Sequence, residues 1–195
     1  ISKLIIGYDH HFGKNREGNI VQLTEYSHLY EFTVEEIPAQ DIDDVSVSST
    51  KIRTALANGN LQTANNYLGY PFMLSGTVVN GKQLGGKIGY PTANINIEET
   101  YKLIPKTGVY IVLSKIQGAN VYGMMNIGNR PTIGGDYQTI EVHFFDFNAD
   151  LYHQQLTISL LYFLRDEQKF DSLENLMLQL KKDEQTARNF IEKNL

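Results

Sequence analysis

Residues 108–116, GVYIVLSKI, and 121–128, VYGMMNIG, decide how the second half of the chain folds. Both are short, rich in Val, Ile and Tyr, and bounded by Gly, Gln or Asn, which is the pattern of a strand between turns. FMLSGTVV (72–79), TIEVHFFDF (139–147) and QLTISLLYFL (155–164) repeat it. Such a series, punctuated by Gly, Pro or Asn, predicts a small antiparallel barrel or sandwich. The chain then closes in DSLENLMLQLKKDEQTARNFIEKNL (171–195). There Leu173, Leu176, Met177 and Leu180 recur at helical spacing, and Asp171 or Ser172 can cap the start.

Upstream of Pro71 the pattern differs. KLIIGYD (3–9) and EFTVEEIP (31–38) read as strands, and NIVQLTEYSHLY (19–30) between them has helical spacing. SSTKIRTALANGN (48–60) reads as a helix capped by Ser48, Ser49 or Thr50 and stopped by Asn58-Gly59. LQTANNYLG (61–69) adds one more short helix. Strand and helix in alternation predict an α/β layer. We therefore expect two domains, 1–68 and 69–195. Charge separates them weakly: residues 1–68 hold five basic and nine acidic side chains, the remainder 12 and 13. The opening, ISKLIIGYDHHFG (1–13), enters at once into an apolar strand without an initiator Met, as expected of a fragment of a longer protein.

Composition narrows the class of function. The chain is 42% hydrophobic and 20% charged, an ordinary globular balance. No apolar run approaches the roughly 20 residues that span a bilayer, so no membrane partner is expected. A net charge of −5 argues against a nonspecific nucleic-acid coat. With no cysteine, disulfides, thiolate zinc sites and cysteine nucleophiles are excluded, and a reducing cytoplasm is the expected location.

Three stretches carry chemistry. GKQLGGKI (81–88) nearly matches the phosphate-loop pattern through Gly81, Gly86 and Lys87, but Ile88 replaces the hydroxyl that should meet Mg²⁺. Pro91 follows too soon for the helix such a loop requires. Glycine-freed backbone N–H groups, Lys82, Lys87, and then Thr92 and Asn94 remain, and hard cations take such oxygen ligands. A plain glycine-rich hairpin fits the same residues. Glu141 alternates with apolar Ile140 and Val142 and shares its strand face with Thr139 and His143. It reads either as a solvated edge charge or as a base for an attacking hydroxyl. SVSSTKIR (46–53) reads as an ordinary N-cap or as an anion site, with Lys51 and Arg53 in the first turn. The five histidines show no metal-ligand spacing.

In order, GTVVNGKQLGGKIGYPTANI (76–95), GVYIVLSKI, NIGNRPTIGG (126–135), EVHFFDFNADLY (141–152) and FLRDEQKFDSLENL (163–176) resemble the riboflavin kinase family over residues 69–195. GYDHHFGKNREG (7–18) and SVSSTKIR resemble the later part of an FMN adenylyltransferase (FAD synthetase) domain. Together they resemble the bifunctional bacterial riboflavin kinase/FAD synthetases, entered partway through the first domain.

The resemblance implies a mainly β fold: a six-stranded antiparallel flavokinase barrel with a C-terminal helix, preceded by a partial, Rossmann-like α/β nucleotidyltransferase segment. It implies transfer of the ATP γ-phosphate to the riboflavin 5′-hydroxyl, giving FMN, with Mg²⁺ accompanying ATP. Glu141 matches the catalytic carboxylate. Thr92 and Asn94 would hold Mg²⁺ and phosphates, with Gly76, Gly81, Lys82, Gly85, Gly86, Lys87 and Gly89 around the nucleotide. Asn126, Arg130, Arg165 and Ser172 would lie on the flavin side. Asp9, Phe12, Ser49, Thr50 and Arg53 would be an adenylyltransferase remnant. The His-x-Gly-His type signature of that second activity is absent from the sequence, so FAD synthesis is not expected from this chain. The alternative is a noncatalytic flavin- or nucleotide-binding module on the same barrel.

Overall fold

In a computed structural model, all residues are described except 40, 43–44, 82–84, 133–134 and 195, and the side chains of 41, 42, 45 and 130–137 are likewise left aside. The chain forms two units, Ile1–Ser48 and Ser49–Leu195.

The first unit holds β1 (Lys3–Gly7), α1 (Ile20–Leu29) and β2 (Thr33–Ile37), followed by the short pair β3 (Asp41–Ile42) and β4 (Val45–Ser46). β1 and β2 run parallel, with Ile5 opposite Glu35, so the helix is a crossover between parallel strands. The α/β expectation is met. Asn19 starts α1 by a capping box: its side chain accepts from Gln22 N at 3.2 Å, and Gln22 Oε1 accepts from Asn19 N at 3.3 Å.

The second unit begins with α2 (Ser49–Ala57) and α3 (Leu61–Leu68). Its strands are β5 (Met73–Val79), β6 (Ala93–Asn96), β7 (Gly108–Ile116), β8 (Ala119–Thr132), β9 (Gly135–Phe144) and β10 (Gln155–Arg165), and α4 (Leu173–Asn194) ends it. The strands close into an antiparallel barrel in the order β10-β5-β6-β9-β8-β7. Because β10 returns beside β7 after the β7-β8-β9 meander, the barrel contains a Greek key. β6 is only four residues long, starting at Ala93 inside Pro91-Thr92-Ala93-Asn94 and running two residues past it.

Side-chain alternation explains the unbroken apolar run of β7. Tyr110 and Val112 join the main core with Leu74, Met125, Val142 and Leu160. Val109 and Ile111 face the other way, into a second cluster with Met124, Phe145 and Ala187 of α4. A strand covered on both faces has no polar side to alternate with. The Tyr110 hydroxyl donates to the Lys106 carbonyl, and burial pushes its pKa well above the usual tyrosine range.

Helices α2 and α3 belong to the barrel's unit, although the sequence change near residue 68 placed them with the first domain. Leu56, Leu61 and Ala64 are buried in the same core as the strands. The Asn65 side chain stitches the link, donating to Leu160 O at 3.0 Å and accepting from Phe72 N at 2.8 Å. Gly59, at φ 80°, ends α2 as the Asn-Gly pair predicted. Of the two expected caps of α4 it is Ser172 that serves, its Oγ accepting from Asn175 N at 3.2 Å. Among the described residues no helix is long and apolar enough to cross a membrane.

Candidate active site

One register line across the barrel carries most of the polar candidates. Asn94 on β6 faces Glu141 on β9, and Glu141 faces Asn126 on β8. The line continues through Val109 on β7 to Arg165 on β10. Strands lie about 4.8 Å apart, so the row sets side chains at regular intervals across five strands. Val142 and Met125, next in sequence to Glu141 and Asn126, point into the core. The polar row therefore faces outward, toward α4.

There it borders a cavity of about 440 Å³. Thr92, Asn126, Glu141, His143 and Arg165 line one side, and Leu173, Leu176 and Leu180 of α4 line another. Two register shifts in β10, at Leu160/Tyr162 and Phe163/Arg165, bend the strand just before Arg165. The cavity is thus polar at the β6-β9 end and apolar against the helix.

The glycine loop closes on the polar end. A Cβ on Gly81 would stand 2.1 Å from Asn94 Nδ2, so glycine lets this backbone lie against the Asn94 carboxamide, which any other residue would push aside. Gly85–Ile88 form a single 3-10 turn, and Tyr90 N donates back to Gly85 O at 2.9 Å. Gly89 adopts φ +85°, which side chains rarely tolerate. The chain then reaches Thr92, whose Oγ1 donates to Glu141 Oε2 at 3.4 Å. Two positions later on the same face of β9, His143 Nδ1 donates to Pro91 O at 2.8 Å.

Tyr90 ties this loop to α4. Its hydroxyl donates to Glu184 Oε2 at 3.1 Å, while Arg188 Nε donates to Glu184 Oε1 at 2.9 Å. Arg188 continues to both oxygens of Asp146, at 2.7 and 3.0 Å. Burial, then the Glu184 hydrogen bond, raises the Tyr90 pKa. The Arg188 hydrogen bond lowers that of Asp146.

Arg165 is already engaged. Nε and Nη2 donate to the Asp183 carboxylate, with the closest contact at 2.7 Å, and Nη1 donates to Asp166 O. Asp183, 3% exposed, also accepts from Gln179 Nε2 at 2.7 Å. The guanidinium therefore fixes α4, and with it the apolar wall, against the barrel.

The sequence candidates divide accordingly. Thr92, Glu141, Asn126, Arg165, Gly85 and Lys87 surround the cavity, and Asn94 and Gly81 pack together beside it. Gly86 is exposed on the turn. Gly76 lies elsewhere, buried on β5, where a Cβ would meet Asn96 O at 2.4 Å. Ser172 spends its hydroxyl on the α4 cap. Lys82 and the Arg130 side chain lie outside the described residues. Of the remnant set, Asp9 and Phe12 fall in the first unit, and Ser49, Thr50 and Arg53 in the second. Phe12 lies across Gly18, their backbones exchanging hydrogen bonds of 3.0 and 2.9 Å. Arg53 donates to Thr50 Oγ1 at 3.3 Å.

Sequence reasoning missed His143, Tyr90 and the Arg165–Asp183 pair. Only the shared face of Glu141 and His143 was readable, since the His143 partner lies 52 positions away.

Comparison with known proteins fits this geometry. A family model described as riboflavin kinase matches residues 68–191, and one described as FAD synthetase matches residues 1–51. The chain is 41% identical over 188 residues to the bifunctional riboflavin kinase/FMN adenylyltransferase of Haemophilus influenzae. It is 40% identical over 195 residues to that of Listeria monocytogenes. These alignments take in 96% and 99% of this chain but 60% and 61% of the relatives' length. A crystal structure described as a macrolide-efflux protein from Streptococcus pneumoniae superposes with a TM-score of 0.84 at 36% identity, covering 95% of this chain and 60% of that one.

Proposed function

The chain belongs to the riboflavin kinase family, and from that premise we propose that it transfers the γ-phosphoryl group of ATP to the 5′-hydroxyl of riboflavin. The observation that carries the reading is the placement of Glu141 between Asn94 and Asn126, within hydrogen-bonding reach of Thr92 and on the cavity wall. In the reaction a bond forms between the riboflavin O5′ and the γ-phosphorus, and the bond from that phosphorus to the β,γ-bridging oxygen breaks. ADP leaves, and Glu141 accepts the hydroxyl proton. Phosphoryl transfer asks mainly for positioning and for neutralised charge. The glycine loop brings backbone to the phosphates, with Gly81 packed on Asn94 and Gly85 closing the turn.

The residues present suit Mg²⁺. The Thr92 hydroxyl and the Asn94 carboxamide oxygen are hard donors, and these two would hold the ion against the phosphates. Among the described residues no group of three or more His, Asp or Glu could hold a metal by itself. That agrees with an ion that keeps waters and shares substrate phosphates. When bound, it would neutralise charge on the transferring group.

We place the flavin ring at the apolar end, between Asn126 and the leucines of α4, with Arg165 holding that helix in place and Ser172 capping it. Arg130, Gly86, Lys82 and Lys87 complete the proposed binding set, whereas Gly76 is held by its close approach to Asn96 O. The sequence boundary proposes 1–68 as part of an adenylyltransferase domain that in the longer protein converts FMN to FAD, and 69–195 as the carrier of the kinase residues, while 49–68 fold with the barrel's unit. The absence of cysteine suits a cytoplasmic location. Incubation with riboflavin, ATP and Mg²⁺, followed by chromatography, tests the reading. FMN appearing only with all three supports it, whereas flavin binding without ADP release would mark a noncatalytic module.

A further inference from the structure

The β6-β9 ladder consists of Ala93 opposite Val142 and Asn94 opposite Glu141, and it stops there. Thr92 and Pro91 continue past its end toward His143. Proline has no N–H to donate, so this end of β6 cannot extend the ladder by backbone alone. A side chain takes over. His143 Nδ1 lies 2.8 Å from Pro91 O, and because a carbonyl only accepts, the proton belongs on Nδ1. The ring is held edge-on between Tyr90 and Phe145, with centroids at 5.1 and 5.9 Å.

Peptide planarity gives this bond its consequence. The Pro91 carbonyl and the Thr92 N–H share one rigid plane, so fixing the carbonyl fixes the direction in which Thr92 leaves it. Glu141, two residues earlier on the same face of β9, accepts from Thr92 Oγ1. β9 therefore grips Pro91-Thr92 at two points, one on the backbone and one on the hydroxyl. We infer that His143 is a positioning residue for the phosphoryl-transfer site: through its Nδ1–H bond to Pro91 O it sets Thr92 against Glu141, and so orients the metal-phosphate end of the cavity. This rests on the kinase reading above.

Two substitutions separate the bond from the ring. His143→Phe keeps an aromatic between Tyr90 and Phe145 but loses the donor, whereas His143→Asn loses the ring but can place an N–H near the Nδ1 position. With misplacement of about 1 Å costing up to about 10²-fold, His143→Phe is expected to lower kcat by about 10- to 100-fold while the KM for riboflavin stays within about two-fold. His143→Asn should recover most of the loss. Wild-type kcat in His143→Phe, or an Asn variant as slow as the Phe variant when both are folded, would overturn the inference. So would rescue by His143→Gln alone, which would assign the role to Nε2. If the variants do not fold, the ¹⁵N spectrum of histidine in the wild-type protein decides: a protonated Nδ1 on His143 is required, and an Nε2–H tautomer overturns it. That spectrum needs no turnover, so failure of the kinase reading, seen as no FMN from the wild-type chain, remains distinguishable.

Discussion

Asn94 and Glu141 stand directly opposite each other across the β6-β9 pair, one strand bearing the proposed metal ligand and the other the proposed base. Opposed residues in an antiparallel pair lie about 4.5–5.5 Å apart. Their separation is therefore set by the ladder rather than by loop conformation. The proposed chemistry, which depends on distance, thus rests on paired backbone.

Glu141→Gln should fold normally and bind riboflavin, yet lose about 10²–10⁴-fold in turnover, because size and hydrogen bonding persist while the proton acceptor is lost. Riboflavin titration beside an FMN-formation assay separates the two effects. Turnover at the wild-type rate would remove Glu141 from the mechanism.

Thr92→Ala and Asn94→Ala should each weaken use of Mg²⁺-ATP more than riboflavin affinity, since Thr92 lines the polar end of the cavity and Asn94 packs on the glycine loop beside it. Steady-state kinetics with each substrate varied in turn tests this. A variant that loses riboflavin binding with normal ATP dependence would show that the loop has been assigned to the wrong substrate.

How much of this was legible follows from burial and sequence distance. The β7 run was readable as a strand because its two buried faces leave it uniformly apolar. β6 was not readable from its residues, since Ala93–Asn96 is short and half Asn; only the family motif marked that stretch. α4 was visible from its leucine spacing, but Asp183 sits among charged neighbours in LKKDEQ (180–185), and nothing local says that this carboxylate alone is buried. Glu141 and His143 shared a face by simple alternation, whereas their partners Thr92 and Pro91 arrive from another strand. The loop glycines were read as backbone around a nucleotide; in the fold Gly81 packs against the Asn94 carboxamide. Gly76, equally a glycine, owes its place to a neighbouring backbone.

Removing Arg165 should damage stability before it damages chemistry. Arg165→Met leaves Asp183 buried and unpaired, a loss of about 3–5 kcal/mol, whereas replacing both partners by apolar residues is often near neutral. Urea unfolding of Arg165→Met and of Arg165→Met/Asp183→Leu should therefore show a large loss in the first and recovery in the second. If the recovered double variant also binds riboflavin normally, Arg165 serves the flavin end by holding α4. A stable Arg165→Met single variant would contradict the buried pair's role.

Truncation tests where the barrel's unit begins. A chain starting at Ser49 should keep the stability of that unit, because Leu56, Leu61 and Ala64 remain to complete its core. A chain starting at Gly69, where the composition changes, removes them together with both hydrogen bonds of Asn65 to Phe72 N and Leu160 O. Burying a leucine contributes about 1.5–3 kcal/mol, so losing Leu56 and Leu61 alone takes away a large share of the roughly 5–15 kcal/mol that holds a domain together. The 69–195 chain should consequently unfold at markedly lower urea, or precipitate through the apolar surface left on Leu74 and Leu160, while 49–195 unfolds in one transition. Equal urea midpoints for the two chains would mean that the helices merely rest on the barrel, and that the kinase domain begins where the sequence pattern changes.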